Sequence, residues 1–111
     1  IDAFYRIDAD ANQYLMIVMQ GDKTVGTCHL TFMPSLTHLG STRMQIEGVR
    51  VASAYRGQNI GQWMIQSSVE IARNNNASLV QLTTDKKRPD AIQFYERLGF
   101  KTTHEGMKYH V

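Results

Sequence analysis

The sequence has little of what would assign it to several protein classes at once. Its 111 residues include one cysteine, two prolines and one tryptophan. A single cysteine, Cys28, excludes an internal disulfide, so a reducing compartment is expected, with the cytoplasm as the simplest case. The longest apolar run, residues 14–19, is far too short to cross a bilayer. We therefore expect no membrane partner.

A strong excess of charge is also lacking. The sequence has 12 Lys and Arg residues against 10 Asp and Glu, a formal net charge of +2, with an isoelectric point near 8.8. This small basic excess suits an anionic small ligand, but nucleic-acid binding is not expected, because basic and aromatic residues are not interleaved. No metal site is predicted either, because metal-ligand spacing is absent from the four histidines His29, His38, His104 and His110.

Apolar residues, by contrast, are frequent enough for a core. They make up 42% of the 111 residues, which fits one compact domain over residues 1–111. The runs "YLMIVM" and "TVGTCHLTF" flank the turn signal "QGDK" and predict a β-hairpin. A loop is expected over residues 34–43, a strand at "SLVQLTT", a helix at "PDAIQFYERLGF" and one or two short strands over residues 100–111. This order predicts a mixed sheet with packed helices, in the α/β or α+β class.

The segment "MQIEGVRV" changes its alternation at a glycine. Met44 and Ile46 put the apolar face on even positions, whereas Val49 and Val51 put it on odd ones. A strand that slips by one residue at Gly48 is expected to contain a β-bulge, which leaves backbone groups free for a ligand. The alternative is a strand buried on both faces, where alternation carries no information.

The stretch "YRGQNIGQ", residues 55–62, lies between this strand and a helix marked by Ile65, Val69 and Ala72. A glycine loop entering a helix points several backbone N–H groups in one direction, which suits a phosphate. The alternative is a plain turn. Neither a Walker loop nor a dinucleotide fingerprint fits, because the required lysine and third glycine are absent.

The run from "IEGVRVASAYRGQNIGQWMIQ" to "FYERLGF" resembles the GNAT superfamily of acyl-CoA-dependent N-acyltransferases. In that family, an Arg/Gln-x-x-Gly-x-Gly/Ala loop after a bulged strand binds the pyrophosphate of coenzyme A. The resemblance therefore implies acetyl-CoA as co-substrate, held by residues Val49, Arg50, Val51, Arg56, Gly57, Gln58, Asn59, Ile60, Gly61, Gln62 and Arg88. Two of these depart from the family pattern. Asn59 stands where a glycine is usual, but asparagine also adopts a left-handed backbone, so the loop conformation is expected to be kept. Arg88 stands where an asparagine is usual, so the contact that this asparagine makes with the cofactor is expected to differ.

The same resemblance implies a mixed, mostly antiparallel central sheet with a bulged strand and flanking helices. The family fold begins with a strand and two helices, of which only the end of the second helix matches here, as "AFYRIDAD". We therefore expect the N-terminal strand and helix to be missing from this chain. A homodimer is expected by analogy with the family alone.

The chemistry implied is direct attack of a primary amine, from a small molecule or a protein, on the acetyl thioester within a ternary complex. Glu47 takes the position of the family's base, since an amine must lose a proton before it attacks. Tyr95 takes the position of the general acid. Each has a structural alternative: Glu47 as an exposed strand carboxylate and Tyr95 as a core neighbour of Phe94. A non-catalytic acyl-CoA-binding module is the alternative function.

Overall fold

The computed structural model describes residues 2–111 and has the α/β architecture that the sequence predicts. Its elements in chain order are helix α1 (Asp2–Ala9), strands β1 (Gln13–Gln20) and β2 (Lys23–Pro34), helix α2 (Thr37–Gly40), strand β3 (Thr42–Val51), a 3₁₀ turn (Ser53–Tyr55), helix α3 (Ile60–Asn74), strand β4 (Ala77–Gln81) and helix α4 (Pro89–Arg97).

The four strands form one mixed sheet in the order β1-β2-β3-β4. The β1–β2 and β2–β3 pairs are antiparallel, and the β3–β4 pair is parallel, with α3 making the crossover between them. The hairpin is confirmed at the predicted place: β1 ends at Gln20, β2 begins at Lys23, and Gly21 takes the positive φ of 65° that the tight turn needs. The mostly antiparallel sheet is likewise confirmed.

The predicted β-bulge in β3 is present. His29 pairs with Glu47 and Thr27 pairs with Arg50, so three steps on β3 oppose two on β2. Gly48 has a φ of 62°, which an L side chain rarely adopts. The register shift changes the parity of the strand as expected. Residues 44 and 46 are buried before it, and residues 49 and 51 pack against the same core after it.

The core lies between one face of the sheet and helix α3. Leu30 and Met44 from the sheet meet Met64 and Ile65 from α3, and all four side chains are almost fully buried. The helix approaches β2 closely at Gly26, where an added Cβ would lie 2.8 Å from Met64 Sδ. Because Met64 is itself buried, a side chain at position 26 would force the Met64 thioether to move. The glycine therefore makes room for the Met64 side chain against β2.

Two predictions from the sequence were wrong: the long loop over residues 34–43 and the short strands over residues 100–111. Residues 34–43 are less of a loop than expected, because β2 extends to Pro34, β3 begins at Thr42, and α2 lies between them. The strands expected within residues 100–111 do not form in the described chain. Alternating apolar residues indicate which face of a strand would be buried, but a strand also needs a neighbour to pair with. The nearest strand in the chain, β4, already ends at Gln81. The tail contacts the β4–α4 loop through an exposed Lys86–Glu105 ion pair of 2.9 Å.

None of the helices among residues 2–111 is both long and apolar enough to span a membrane.

Candidate functional site

A cleft opens at the start of α3. It has a volume of about 520 Å³. Its lining residues are Val51, Tyr55, Arg56, Gly57, Asn59, Ile60, Gly61, Gln62, Phe94, Arg97 and Leu98. Most of the predicted cofactor-binding residues are therefore brought together here. Of the predicted set, the lining lacks Val49, Arg50, Gln58 and Arg88.

The N-terminus of α3 faces this cleft without a cap of its own. Asn59 precedes the helix in a left-handed conformation, with φ 60° and ψ 21°, and its side chain makes no capping hydrogen bond. The first turn contains no acidic residue. The Trp63 N–H donates to the Asn59 carbonyl at 3.1 Å, so the N–H groups before it lack helical partners. These amides and the helix dipole give the cleft a positive end.

The left-handed Asn59 confirms that asparagine can stand in for the usual glycine. Such a backbone costs most L-residues roughly 1–2 kcal/mol, and asparagine is among the few that adopt it routinely. Gly57 has a φ of 81° and keeps the same turn open. The loop geometry expected from the sequence is thus formed with one glycine fewer.

Gly61 leaves a space that a side chain would fill. A Cβ at this position would lie 3.7 Å from Phe94 Cζ and 3.9 Å from Val51 Cγ2, both of which line the cleft. These are ordinary van der Waals distances, so folding alone does not require a glycine here. The space lies next to the free N–H groups of α3. An anion held by those amides can approach the backbone closely because the side chain is absent.

Two guanidinium groups add positive charge to the cleft. Arg56 enters from the loop, as the sequence predicts, and Arg97 enters from the last turn of α4. Both residues are exposed, and neither forms an ion pair among residues 2–111. Arg97 was missed in the sequence analysis because a basic residue at a helix C-terminus has an ordinary explanation in the helix dipole. Arg97 can add positive charge to the cleft only because the last turn of α4 packs beside the first turn of α3.

Tyr95 lies on α4 but does not line the cleft. Its ring packs edge-on against Phe94 and Phe100, at centroid distances of 5.1 and 5.7 Å. Burial raises the pKa of the Tyr95 phenol above its ordinary value; the Arg88 guanidinium acts in the opposite sense, and Cys28 raises it further. The phenol is therefore protonated at neutral pH and can donate a hydrogen bond. Core packing at Tyr95 and a donor role are both compatible with this geometry.

The remaining predicted residues lie outside the cleft. Glu47 is exposed on β3, directly opposite His29 of β2. Val49 lies at the bulge and packs against the core, and Arg50 is exposed one residue later. Arg88 is exposed just before α4, where its carbonyl accepts the N–H groups of the first turn. The structure thus separates the predicted base from the predicted phosphate site.

Cys28 is a free, buried thiol. Its Sγ lies 3.8 Å from Met16 Sδ and 3.9 Å from Ser68 Oγ. Burial raises the pKa of the Cys28 thiol, and the contact with Ser68 lowers it by less. No cluster of three metal-binding side chains occurs among the residues searched, which are those the structure describes; the side chain of His38 lies outside them.

The sequence profile of the Acetyltransferase (GNAT) family matches residues 1–100. This chain belongs to the GNAT acetyltransferase family. It is 32% identical over 103 residues to the aminoalkylphosphonate N-acetyltransferase of Salmonella typhimurium, a match that covers 93% of this chain and 66% of that protein. The chain therefore spans just under two thirds of the length of this relative.

Solved structures of the same architecture agree with the family assignment. A transcriptional regulator from Bacillus halodurans C-125 superposes with a TM-score of 0.95 at 49% identity, covering 99% of this chain and 73% of that one. A putative acetyltransferase from Agrobacterium tumefaciens C58 superposes with a TM-score of 0.92 at 26% identity, covering 99% and 76%. The arrangement of sheet and helices described above is thus the GNAT fold.

Proposed function

We propose that this GNAT chain is an acetyl-CoA-dependent N-acetyltransferase that acetylates a primary amine. The observation that carries the proposal is the uncapped N-terminus of α3, which opens into a cleft with Arg56 and Arg97 at its wall. A helix of 15 residues normally begins with a cap or an acidic residue. The absence of both at Asn59 leaves N–H groups that fit the pyrophosphate of coenzyme A.

The loop would hold the pyrophosphate through its backbone. The N–H groups of the first turn of α3 lack helical partners and would contact the pyrophosphate, Gly61 allows it to approach, and Arg56 and Arg97 supply charge-assisted contacts. Acetyl-CoA supplies an acetyl group activated as a thioester. Backbone groups of Val49, Arg50 and Val51 would pair with the pantetheine amides, because in the described chain β4 pairs with β3 only over residues 42–45 and leaves this edge of β3 without a ladder partner. Arg88, just before α4, would add a further positive charge.

Glu47 and Tyr95 would handle the protons. The Glu47 carboxylate is exposed on β3 next to the bulge, where it can take a proton from an ammonium directly or through water. The protonated Tyr95 phenol would donate to the departing thiolate. Transfer then needs no covalent link to the protein, because amine and thioester meet in one ternary complex.

The acceptor class is a primary amine of a small molecule or of a protein. The Salmonella relative is named for aminoalkylphosphonates, which are small amines, and this favours a small acceptor. A homodimer and a cytoplasmic location complete the proposal. The free, buried Cys28 suits a reducing compartment.

Two other functions have a specific observation behind them. A non-catalytic acyl-CoA-binding module would explain why the described cleft excludes both Glu47 and Tyr95. A role in gene regulation is suggested by the name of the Bacillus halodurans protein. The net charge of +2 and the small number of basic side chains in the cleft favour acetyl-CoA over nucleic acid as the ligand.

Calorimetric titration with acetyl-CoA tests the proposal, using Gly61→Val as the informative variant, because the family motif accepts alanine at this position. The Cβ of the new side chain meets Phe94 and Val51 at ordinary distances, and circular dichroism checks that the variant folds. It should bind acetyl-CoA at least about tenfold more weakly, since its two methyl groups occupy the space for the anion. Gly106→Val is the matched control, since its Cβ would lie 4.0 Å from Thr83 Cγ2, remote from α3.

The outcomes separate the three functions. Saturable binding that Gly61→Val weakens, together with thiol release in the presence of an amine panel, supports the enzyme. Binding without thiol release for any amine supports the acyl-CoA-binding module. Failure of the folded full-length protein to bind acetyl-CoA, with retention of DNA on a filter, would overturn the proposal in favour of a nucleic-acid-binding protein.

A further inference from the structure

One wall of the cleft at the start of α3 is a single face of helix α4. Phe94, Arg97 and Leu98 line the cleft, and their i, i+3, i+4 spacing places them side by side on that face. Phe94 marks where the wall meets α3, because its Cζ lies 3.7 Å from the position of a Cβ at Gly61. Arg97 follows one turn later, roughly 4.5 Å further along the helix axis. Its side chain therefore enters the cleft beside Gly61, from α4.

The other cationic residue of the lining, Arg56, belongs to a different element. It lies in the loop that leads into α3, close in sequence to the N–H groups that lack helical partners. The loop, these amides and the helix dipole form one anion-binding group that is built from neighbouring residues. Arg97 reaches the cleft from the end of α4 instead. The lining therefore has two centres of positive charge, one on each of two elements.

The Arg97 guanidinium is not engaged in an ion pair with the described part of the chain. The residue is exposed, and the two described ion pairs join other side chains. A basic residue in the last turn of a helix interacts favourably with the helix dipole whether or not it faces a cleft. The dipole therefore accounts for a positive charge at position 97, but it does not account for the place of Arg97 in the cleft lining.

Coenzyme A carries phosphate at two places on one ribose. The pyrophosphate is attached to the 5′ oxygen, and a phosphomonoester is attached to the 3′ oxygen. At neutral pH a phosphomonoester has a charge of about −1.5 to −2. The planar guanidinium of arginine binds phosphate oxygens with two parallel hydrogen bonds. Two centres of positive charge that lie side by side in one cleft therefore match the two phosphate positions of this cofactor.

We propose that Arg97 binds the 3′-phosphate of coenzyme A and thereby makes this chain select CoA over 3′-dephospho-CoA. The inference rests on the proposed use of acetyl-CoA and assigns a specificity-determining residue for it. Arg56 and the amides of α3 hold the pyrophosphate, which both forms of the cofactor share. Arg97 holds the one group that the dephosphorylated form lacks. The two arginines of the cleft therefore recognise different parts of the ligand.

Calorimetric titration of the full-length protein with CoA and with 3′-dephospho-CoA tests the assignment, because these ligands differ by one phosphate. The wild type should bind CoA at least about tenfold more tightly, as expected for one charge-assisted contact. Arg97→Gln should remove this preference by weakening CoA alone, whereas Arg56→Gln should weaken both ligands by a similar factor. Arg97→Lys keeps the charge without the planar fork and should retain part of the preference. Lys101→Gln, exposed and outside the cleft lining, is the matched control and should keep the whole preference.

The outcomes distinguish this inference from the proposed function. Equal weakening of both ligands by Arg97→Gln would overturn the inference, since Arg97 would then contact the shared pyrophosphate. A wild-type protein that binds CoA and 3′-dephospho-CoA equally well would also overturn it, and would leave the proposed function standing. Binding of neither ligand by the folded wild type would overturn the proposed use of acetyl-CoA, and this inference with it. Circular dichroism checks the fold of each variant, and glutamine is chosen because its helix propensity is close to that of arginine.

Discussion

The two ends of helix α3 differ in capping: the C-terminus is capped and the N-terminus is not. At the C-terminus, Asn75 donates its side-chain Nδ2–H to the Ile71 carbonyl at 2.8 Å, and its N–H is bonded to the same turn. Arg73 supplies the basic charge that the negative end of the dipole favours. At the N-terminus, Asn59 makes no side-chain cap and no acidic residue follows. One end of the helix is satisfied by its own residues and the other is open.

This difference supports the N-terminus of α3 as the end that would bind the proposed ligand. An asparagine stands beside each terminus, so the residue type alone does not explain the contrast. At the C-terminal end, Asn75 turns its amide back to the helix, whereas Asn59 uses its left-handed backbone to expose the first N–H groups. A capped N-terminus would be more stable but would compete with an anion for the same amides. Under the proposed function, the open N-terminus gives up the stability of a cap so that its amides can bind the anion.

Among substitutions at the two ends of α3, Arg56→Ala should have the largest effect, a loss of acetyl-CoA affinity. Losing a charge-assisted contact of about 1.5–3 kcal/mol should weaken acetyl-CoA binding roughly 10- to 150-fold. Stability should change little, because Arg56 is exposed and has no ion pair among the described residues. Arg73→Ala is the matched control, with the same loss of charge at the other end of the helix. Equal weakening by both variants, measured by calorimetry, would mean that net charge rather than the open N-terminus holds the ligand.

Gln62→Glu is expected to have a smaller effect, raising the stability of the protein while weakening acetyl-CoA binding. A carboxylate in the first turn stabilises an uncapped helix by about 0.3–1 kcal/mol, so the unliganded protein should melt a few degrees higher. The same charge repels a phosphate and should weaken acetyl-CoA binding about tenfold. Gln66→Glu, also exposed but one turn further on, should change neither quantity appreciably. Tighter acetyl-CoA binding by Gln62→Glu would contradict the anion site.

The smallest effect is expected at the closed end, from Asn75→Ala. Loss of the hydrogen bond to the Ile71 carbonyl should lower the free energy of unfolding by about 0.5–1 kcal/mol. Acetyl-CoA affinity should stay as it is, because this end lies a full helix length from the cleft. Asn74→Ala, at an exposed neighbouring position, should not destabilise the protein. Denaturant unfolding and calorimetry on the same samples would reveal any unexpected coupling between the two ends.

Local features of the sequence predicted the parts of the site that are built from neighbouring residues. The parity change from Ile46 to Val49 predicted the bulge, because side-chain direction in a strand depends on counting residues. The left-handed conformation of Asn59 followed from its residue type and from its place in the loop. The hairpin and the helix that begins at Pro89 were predicted for the same reason.

Features that depend on distant residues were not predicted. Phe94 and Arg97 reach the cleft because the last turn of α4 lies beside the first turn of α3, and no local pattern encodes that contact. Pairing of His29 with Glu47 depends on the β2–β3 register, which the bulge itself shifts. The strands expected in the tail failed for a related reason. Met107, Tyr109 and Val111 alternate, yet they stay at least 91% exposed because no strand pairs with them.

The bulge at Gly48 also determines how this segment can vary in length. Before it, even-numbered residues such as Ile46 face the core, and after it odd-numbered residues such as Val49 do so. Deleting Gly48 would restore a regular ladder and would keep Val49 inward and Arg50 outward. A single residue can therefore be lost at the bulge without turning either face of the strand, whereas a second deletion would exchange the two faces. Homologous sequences that lack the bulge should therefore align across β3 with a gap of one residue.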